Sequence, residues 1–392
     1  MIKVCNVDEE GRFGGPEKRI VQVAKLLKDM GIHTHIVHPK FQSEVFVEYI
    51  EKNNICATQM DITRLSKEPK ILYRYILRFI WELFLLIDYF QKNDFDLIHV
   101  NGSYQFKVAL AGRLANNLVI WHLNDTMTIR AIKLFFPALA RFCASGFIVS
   151  GMRVREYYLN KSFLAELPCE EIHAPVDTDI FYPDPSRICV GYDQTRSNSQ
   201  IKIVTVSGIN PTKGLEYFVK MAIDLFAINS NVRFFVAGAE LTSQKKYYSM
   251  IKAIIGKSGI PDGIINFLGL VEDVPGLLKT ADICVFTSIS EASPTSIWEA
   301  MSTGLPVVTT DVGSVNQYIS DGSSGFVVPV KDVNQLVHKV QSLIDSPELR
   351  AKFGKNARSV ALEHLNVNAA ARKHAKIYRR VLRLKNISES SQ

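Results

Sequence analysis

The chain has 392 residues, 47% of them apolar and 22% charged, which describes a soluble globular protein too long for one ordinary core, so two domains are expected. Its net charge of +7 lies entirely after residue 185 (24 basic against 17 acidic side chains), and Arg372, Lys373, Lys376, Arg379, Arg380, Arg383 and Lys385 form a terminal cluster with no acid among them. No nucleic-acid motif accompanies that cluster, so nucleic acid is not an expected partner, and the six scattered cysteines fit a reducing compartment better than a disulfide framework.

Short apolar runs alternate with helical patterns almost throughout, as in parallel α/β units. The opening MIKVCNV reads as a strand (Lys3–Val7) without the basic region or cleavage site of a secretory signal, so a cytoplasmic location is expected. The loop 8–16 ends in Gly14-Gly15-Pro16, and an amphipathic helix runs on to Met30 with Ile20, Val23, Ala24 and Leu27 on one face. Such a glycine-rich turn lets a ligand approach backbone closely, or is a plain tight turn; it lacks the G-x-G-x-x-G of a dinucleotide site. His33–His38 and Ile55–Met60 are the next strands.

From Lys70 to Lys92 a long helix is expected, with one narrow polar stripe (Lys70, Arg74, Arg78, Glu82) and apolar residues nearly all round it. A membrane span would bury two arginines, a glutamate and an aspartate at high cost. A crossover helix needs one apolar face, so the second is left for the C-terminal helix, a second subunit or lipid. Strand Asp96–Val100 ends in Asn101-Gly102, and Leu118–Trp121 runs into the polar loop His122-Leu-Asn-Asp125-Thr. A histidine at a strand's carboxyl end points where open α/β sheets bind ligands, which singles out His122, with His99 as the fallback. No His/Cys/Asp spacing suggests a metal. Phe147–Ser150 and Glu171–Pro175 are the last strands of a first domain, 1–180, which ends in the Asp-x-Asp of Asp177 and Asp179; a polar surface excursion, Ser186–Gln200, follows.

The second domain, 181–366, opens with strand Ile201–Ser207 and helix Leu215–Phe226. The turn between them carries Lys213, placed to meet a phosphate as a point charge. Val232–Gly238, Asn266–Gly269, Ile283–Thr287, Val307–Asp311 and Gly325–Pro329 continue the sheet, and Asp332–Asp345, Pro347–Leu365 and Val367–Leu384 are helices. The central stretch is Ser288–Pro306. Ser293 reads as an N-cap, Pro294 as the first helical residue and Gly304 as the stop. The free N–H groups of Thr295, Ser296 and Ile297 then point to the end of the preceding strand, where an anion binds. Glu299 shares a face with Thr295 and can hold a neighbouring polyol such as a ribose, while Glu291 precedes the helix. Both could also be ordinary helix-start acids.

Glu291, seven residues, Glu299, then Ala-Met-Ser-Thr-Gly-Leu-Pro-Val-Val resembles the signature of the family 4 (group 1) retaining glycosyltransferases. Phe267–Val274, Ala281-Asp282, Thr310–Ser314 and Asp321–Phe326 fall in that family's order. The resemblance is strong over Lys202–Ser346 and weaker but collinear before it. It implies the GT-B fold: two Rossmann-like, doubly wound parallel-sheet domains facing a cleft, the first binding the acceptor and the second the nucleotide-sugar donor. The C-terminal helix (367–385) would cross back to the first domain.

The resemblance also assigns roles. Gly15 lies beside the donor diphosphate, His122 contacts the donor sugar, and Leu270 and Val271 present backbone to the nucleobase. Pro294, Thr295, Ser296 and Ile297 hold the diphosphate, Glu299 the ribose and Glu291 the donor sugar. Gly14, Asn101 and Asp125 fall on the acceptor side. Of the family's basic pair, Lys213 is kept, while Ile209 and Asn210 stand where the arginine would be, with Asn210 as a substitute donor. Val176 to Phe181 matches an interdomain connector, so the Asp-x-Asp is structural, and transfer is expected to need neither metal nor cofactor. The diphosphate itself takes the acceptor's proton, so no protein base is assigned.

The competing readings are an epimerase or phosphorylase on the same fold, or a non-catalytic nucleotide-sugar-binding subunit. Intact Glu291, Glu299, Lys213 and His122 argue against the last. A lipid-linked acceptor at the inner face of the plasma membrane would suit residues 71–90 and the basic 372–385, expected near one edge of the first domain.

Overall fold

The computed structural model describes residues 1–66, 68–126, 130–183, 200–240 and 244–390; nearly all of the expected excursion 186–200 falls outside them. The chain divides into two compact units, residues 1–174 with 367–392, and residues 175–366. Each is built on an all-parallel sheet.

In unit 1, β1 (Ile2–Val7), α1 (Gly15–Asp29), β2 (Ile32–Pro39), α2 (Glu44–Lys52) and β3 (Ala57–Met60) wind outward in one direction. Helix α3 (Pro69–Lys92) then carries the chain back across the sheet. β4 (Leu97–Asn101), α4 (Phe106–Leu114), β5 (Leu118–Leu123), α5 (Arg130–Cys143), β6 (Gly146–Val149), α6 (Met152–Tyr158), α7 (Ser162–Ala165) and β7 (Cys169–Glu171) wind the other way. The strand order is β3-β2-β1-β4-β5-β6-β7, so direction reverses between β1 and β4. Right-handed crossovers then put α1 and α2 on one face and α3, α4 and α5 on the other.

Unit 2 repeats the plan with β8 (Ile201–Val206), α8 (Leu215–Ile228), β9 (Val232–Ala237), α9 (Lys245–Ser258), β10 (Ile265–Gly269), α10 (Val274–Lys279) and β11 (Ile283–Phe286). There follow α11 (Thr295–Ser302), β12 (Val307–Thr310), α12 (Val315–Tyr318), β13 (Phe326–Val328), α13 (Val333–Asp345) and α14 (Pro347–Val360). Its order is β10-β9-β8-β11-β12-β13, with the reversal between β8 and β11. The strands are near-continuous apolar runs because both faces are covered, and their side chains fill two cores, one on each side of the sheet.

The last helix, α15 (Val367–Ser390), belongs to unit 1. Its Ala370, Ala371, Ala375, Ile377, Tyr378 and Val381 pack with Val23 and Leu27 of α1 on Val4, Leu97, Ile120 and Ile148 of the sheet. That places α15 on the face opposite α3 and corrects one expectation: the basic residues of α15 and the apolar surface of α3 point away from the sheet in opposite directions.

Helix α3 is apolar on two sides, and Tyr75, Leu83, Leu86 and Phe90 are its buried apolar residues. Part of its polar stripe faces inward, where buried Glu82 takes hydrogen bonds from the Thr63 N–H and hydroxyl at 2.9 Å each and pairs with buried Lys107 and with Arg78. Tyr73, Ile76, Leu77, Ile80, Trp81 and Phe84, at helical spacing, are each more than half exposed. Among the described residues no helix is long and apolar enough to cross a membrane.

Candidate active site

In unit 2 a cavity of about 460 Å³ opens at the carboxyl ends of β8 to β11, at the point where strand order reverses. Its wall is made by Ser207 and Gly208 after β8, Gly238 and Ala239 after β9, Leu270 and Val271 after β10, and Glu291 with Ser293–Ser296 before and within α11. A Cβ on Gly238 would stand 1.9 Å from the Ser207 carbonyl oxygen, so only glycine lets these two loops meet.

Lys213 ends a 3-10 turn, Pro211–Lys213, whose N-cap is Asn210; the Asn210 side-chain Oδ1 accepts from the Thr212 N–H at 3.1 Å and from its hydroxyl. Gly214 follows with φ +60°, pressed onto Thr287, where a Cβ would come within 2.2 Å of the carbonyl oxygen. The turn is thereby fixed against the end of β11, and Lys213 Nζ donates to Glu291 Oε1, which also accepts from Ser288 Oγ at 2.9 Å. Lys213 and Glu291 thus meet each other in the cavity. Asn210 is engaged as a cap and does not line it.

Helix α11 begins one residue later than the sequence suggests. Pro294, with ψ 92°, is the N-cap and makes no side-chain cap bond. Ser293 does not cap; its Oγ accepts from Trp298 Nε1 at 3.3 Å. The Ile297 N–H donates to the Pro294 carbonyl at 3.1 Å and Ile297 is buried in the core, so it is not a free donor. The N–H groups of Thr295 and Ser296 have no acceptor among the described residues, and both residues line the cavity. The helix end is as expected: Gly304 has φ +77°, its N–H donates to Met301, and the Leu305 N–H to Ala300, a Schellman pair. Glu299 stands one turn into α11, half-buried and outside the cavity wall. One cation, two N–H groups at a helix start and a carboxylate suit a ligand with both anionic and hydroxyl groups.

Unit 1 has its own cavity, about 260 Å³, at the carboxyl ends of β1, β4 and β5. Of the residues expected on the acceptor side, Asn101 and Asp125 line it and Gly14 does not; Asp8, Glu9, Glu10, Glu17, Gly102, Ser103 and Gln105, which sequence reasoning missed, line it as well. Burial raises the Asp8 carboxyl well above its usual range, with Glu17 adding to the effect. Burial also brings Glu9 up to about 7 against the pull of Lys107. Gly14 is the N-cap of α1, and the Glu17 carboxylate lies against it, 3.3 Å from where a Gly14 Cβ would stand, so this helix start carries its own anion. A Cβ on Gly15 would meet open space.

His122 is not in a polar loop. β5 extends to Leu123, and the imidazole is fully buried on the sheet face covered by α1 and α15. Arg19 Nη1 donates to its Nε2 at 3.3 Å, and Arg19 Nη2 to Asn101 Oδ1 at 2.9 Å. Since a guanidinium only donates, neutral His122 carries its proton on Nδ1 and gives it to His99 Nε2 at 3.2 Å; His99 Nδ1–H then points to the Tyr378 hydroxyl. The assignment of His122 to a donor sugar is therefore corrected: both ring nitrogens are occupied.

His374, bonded through Nδ1 to the Ala370 carbonyl at 2.8 Å, completes a trio with His99 and His122 whose ligating atoms lie within 4.8 Å of one another. This corrects the reading that the histidines form no metal-like group. The arginine at His122 and the mutual bond between His122 and His99 fill the lone pairs a metal would need. Burial, helped by Arg19 and the neighbouring rings, pushes His99 and His122 well below the ordinary histidine range, and burial brings His374 down to about 3. Asp177 Oδ1 accepts from the Asp179 and Ile180 N–H groups at 3.2 and 3.3 Å and so closes a turn.

Residues 193–360 match the family model described as Glycosyl transferases group 1, and residues 13–180 match Glycosyltransferase Family 4. The chain is 29% identical over 181 residues to the alpha-D-kanosaminyltransferase of Streptomyces kanamyceticus, covering 46% of this chain and 45% of that protein. It is 24% identical over 297 residues to the UDP-Gal:alpha-D-GlcNAc-diphosphoundecaprenol alpha-1,3-galactosyltransferase of Escherichia coli, covering 71% and 73%. The matched region thus spans less than half of the first relative. Among solved structures, Anabaena Alr3699/HepE in complex with UDP superposes with a TM-score of 0.79 over 96% of this chain and 99% of that one, at 21% identity, a likeness of fold.

Proposed function

Because the chain belongs to the family 4 glycosyltransferases, with the GT-B fold, we propose that it moves a sugar from a nucleotide-sugar donor to a hydroxyl of a glycan or lipid-linked acceptor, with retention at the anomeric carbon. The observation that carries this is the unit-2 cavity, where Lys213, Glu291 and the start of α11 line one wall. There the Thr295 and Ser296 N–H groups and Lys213 take the diphosphate, Glu299 the ribose, and the backbone at Leu270 and Val271 the base. Lys213 must leave Glu291 to do so, which frees that carboxylate for the donor sugar's hydroxyls. Most of the barrier lies in stabilising the leaving diphosphate, and these groups are aimed at that charge. Asn101 and Asp125 face the acceptor in unit 1.

The test is nucleotide release from a panel of nucleotide sugars, with and without acceptor. Release that needs an acceptor supports transfer, release or conversion without one points to an epimerase, and no release points to a binding subunit. Transfer should survive EDTA; loss rescued by Mn²⁺ would overturn metal independence.

The E. coli relative's name specifies a diphosphoundecaprenol-linked acceptor, and such an acceptor places the enzyme at a bilayer. We therefore assign the exposed stripe of α3 to lipid. Leu134, Phe135 and Phe142 of α5 are exposed on the same face of the sheet, and Lys133 and Arg141 of α5 flank them with basic charge. Flotation with anionic liposomes should carry the protein and Trp81→Ser/Phe84→Ser should abolish it. Protein that stays at the bottom and elutes as a dimer would make the stripe a subunit contact.

A further inference from the structure

We propose that the unit-1 cavity holds the terminal sugar of the acceptor and selects one that is uncharged or carries an amino group over one that carries a carboxylate. This rests on the assignment of unit 1 to the acceptor. Two residues of the cavity wall each keep a buried polar atom without a hydrogen bond among the described residues: Ser103 Oγ and Gln105 Oε1. Their exposures are 0% and 6%. Buried polar atoms are nearly always satisfied, so two at one cavity mark groups that a ligand completes.

The chemistry of the two points one way. Gln105 is fixed by its amide nitrogen, which donates to Asp8 Oδ1 at 3.1 Å and to the Asn101 carbonyl, so its free atom is an acceptor. Ser103 can accept or donate. Glu9 Oε1, in the same wall, is paired with Lys107 at 3.2 Å. The unpaired atoms of the wall can thus both accept, and hydroxyl or ammonium groups on a ligand supply the donors. Its charge agrees: Asp8, Glu9, Glu10, Glu17 and Asp125 face one cation, Arg64, and Arg64 is already paired with Glu10 at 2.9 Å. A carboxylate or phosphate on the sugar would enter among carboxyl groups and meet no free cation. A volume near 260 Å³ displaces roughly nine waters at about 30 Å³ each, room for one monosaccharide ring.

The experiment uses saturation-transfer NMR on the full chain with matched methyl glycosides in the gluco and galacto series: the neutral sugar, its 2-amino-2-deoxy form and its uronate. The neutral and amino sugars should bind, and the uronate at least about tenfold more weakly. Glu10→Gln, at a partly exposed residue, releases Arg64 and Arg12 and should narrow that gap; Ser103→Ala should weaken the neutral sugar. A uronate that binds wild type as tightly as its neutral partner overturns the selectivity while leaving the acceptor assignment in place. Binding that neither variant alters puts the sugar elsewhere, and binding by no glycoside in either series removes the acceptor assignment itself.

Discussion

Replacing Arg19 with methionine removes the buried cation that ties the unit-1 cavity to the sheet. Arg19 is 7% exposed and bridges two acceptors, Asn101 Oδ1 at 2.9 Å and His122 Nε2 at 3.3 Å. Methionine fills the space but leaves both acceptors buried and unpaired, at about 1–3 kcal/mol each. Removing the guanidinium also relieves its own desolvation, which offsets part of that cost. The net loss expected is about 2–5 kcal/mol, or roughly 4–20 °C at about 2–4 °C per kcal/mol for a unit of this size. Arg19→Lys should lose about half as much, since one ammonium on a flexible stem does not span both acceptors. Fluorescence melts in a Trp298→Phe background read the answer, because Trp81 and Trp121, the other two indoles, both lie in unit 1. The Coulomb field of Arg19 also helps keep His122 and His99 neutral, so their NMR titrations should move upward in the methionine variant. A methionine variant within about 0.5 kcal/mol of wild type, or lysine and methionine variants that melt alike, would refute the bridging role.

Lys213→Ala should lower kcat by about 10²–10³ with little change in donor KM, because leaving-group charge grows in the transition state, whereas Glu299→Gln should weaken nucleotide-sugar binding in a thermal-shift titration; wild-type kcat/KM in both would undo the site assignment. His374 titrates at about 3 when folded against about 6.5 unfolded, so the unfolded chain takes the proton first: its contribution is complete above about pH 6.5 and is lost as pH falls toward 3. The raised carboxyls of Asp8, Glu9 and Glu17 act in the opposite sense, so the readable quantity is the difference between wild type and His374→Gln. That difference should shrink by about 1.4 kcal/mol per pH unit below pH 6, and a flat difference would place His374 in a wetter setting.

What could be read in advance depended on whether partners lie near one another in sequence. The strands, the Lys213 turn and the Gly304 stop are local, and each is set by a few neighbouring residues: Gly304 by its positive φ, Lys213 by the Gly214 that follows it. The α11 start was misjudged by one residue because Ser293 has a competing partner, the Trp298 indole, that turn statistics do not include. His122 was misjudged for a longer-range reason. Alternation along β4 and β5 puts His99, Asn101 and His122 on one face, but only the arrival of α15 with His374 and Tyr378 turns that face into a closed interior. The acceptor cavity shares this origin: Glu9 and Gln105 lie 96 positions apart and meet only through the pairing of β1 with β4.

Helix α3 carries the same logic into function. A charged stripe at four-residue spacing reads as a solvent face unless its partners are known, and here they come from elsewhere: Asp61 and Thr63 after β3, and Lys107 from α4. Pairing Glu82 and Arg78 inward forces Tyr73, Ile76, Leu77, Ile80, Trp81 and Phe84 outward. The inward side also buries Tyr75, Leu83, Leu86 and Phe90, so turning the helix about its axis would only exchange one exposed apolar stripe for another. The buried ion pairs fix which stripe stays outside, and an exposed apolar stripe of this size marks a contact surface. The basic ridge of α15 lies on the other side of the sheet, so the proposed lipid contact draws on α3 and α5 and not on α15.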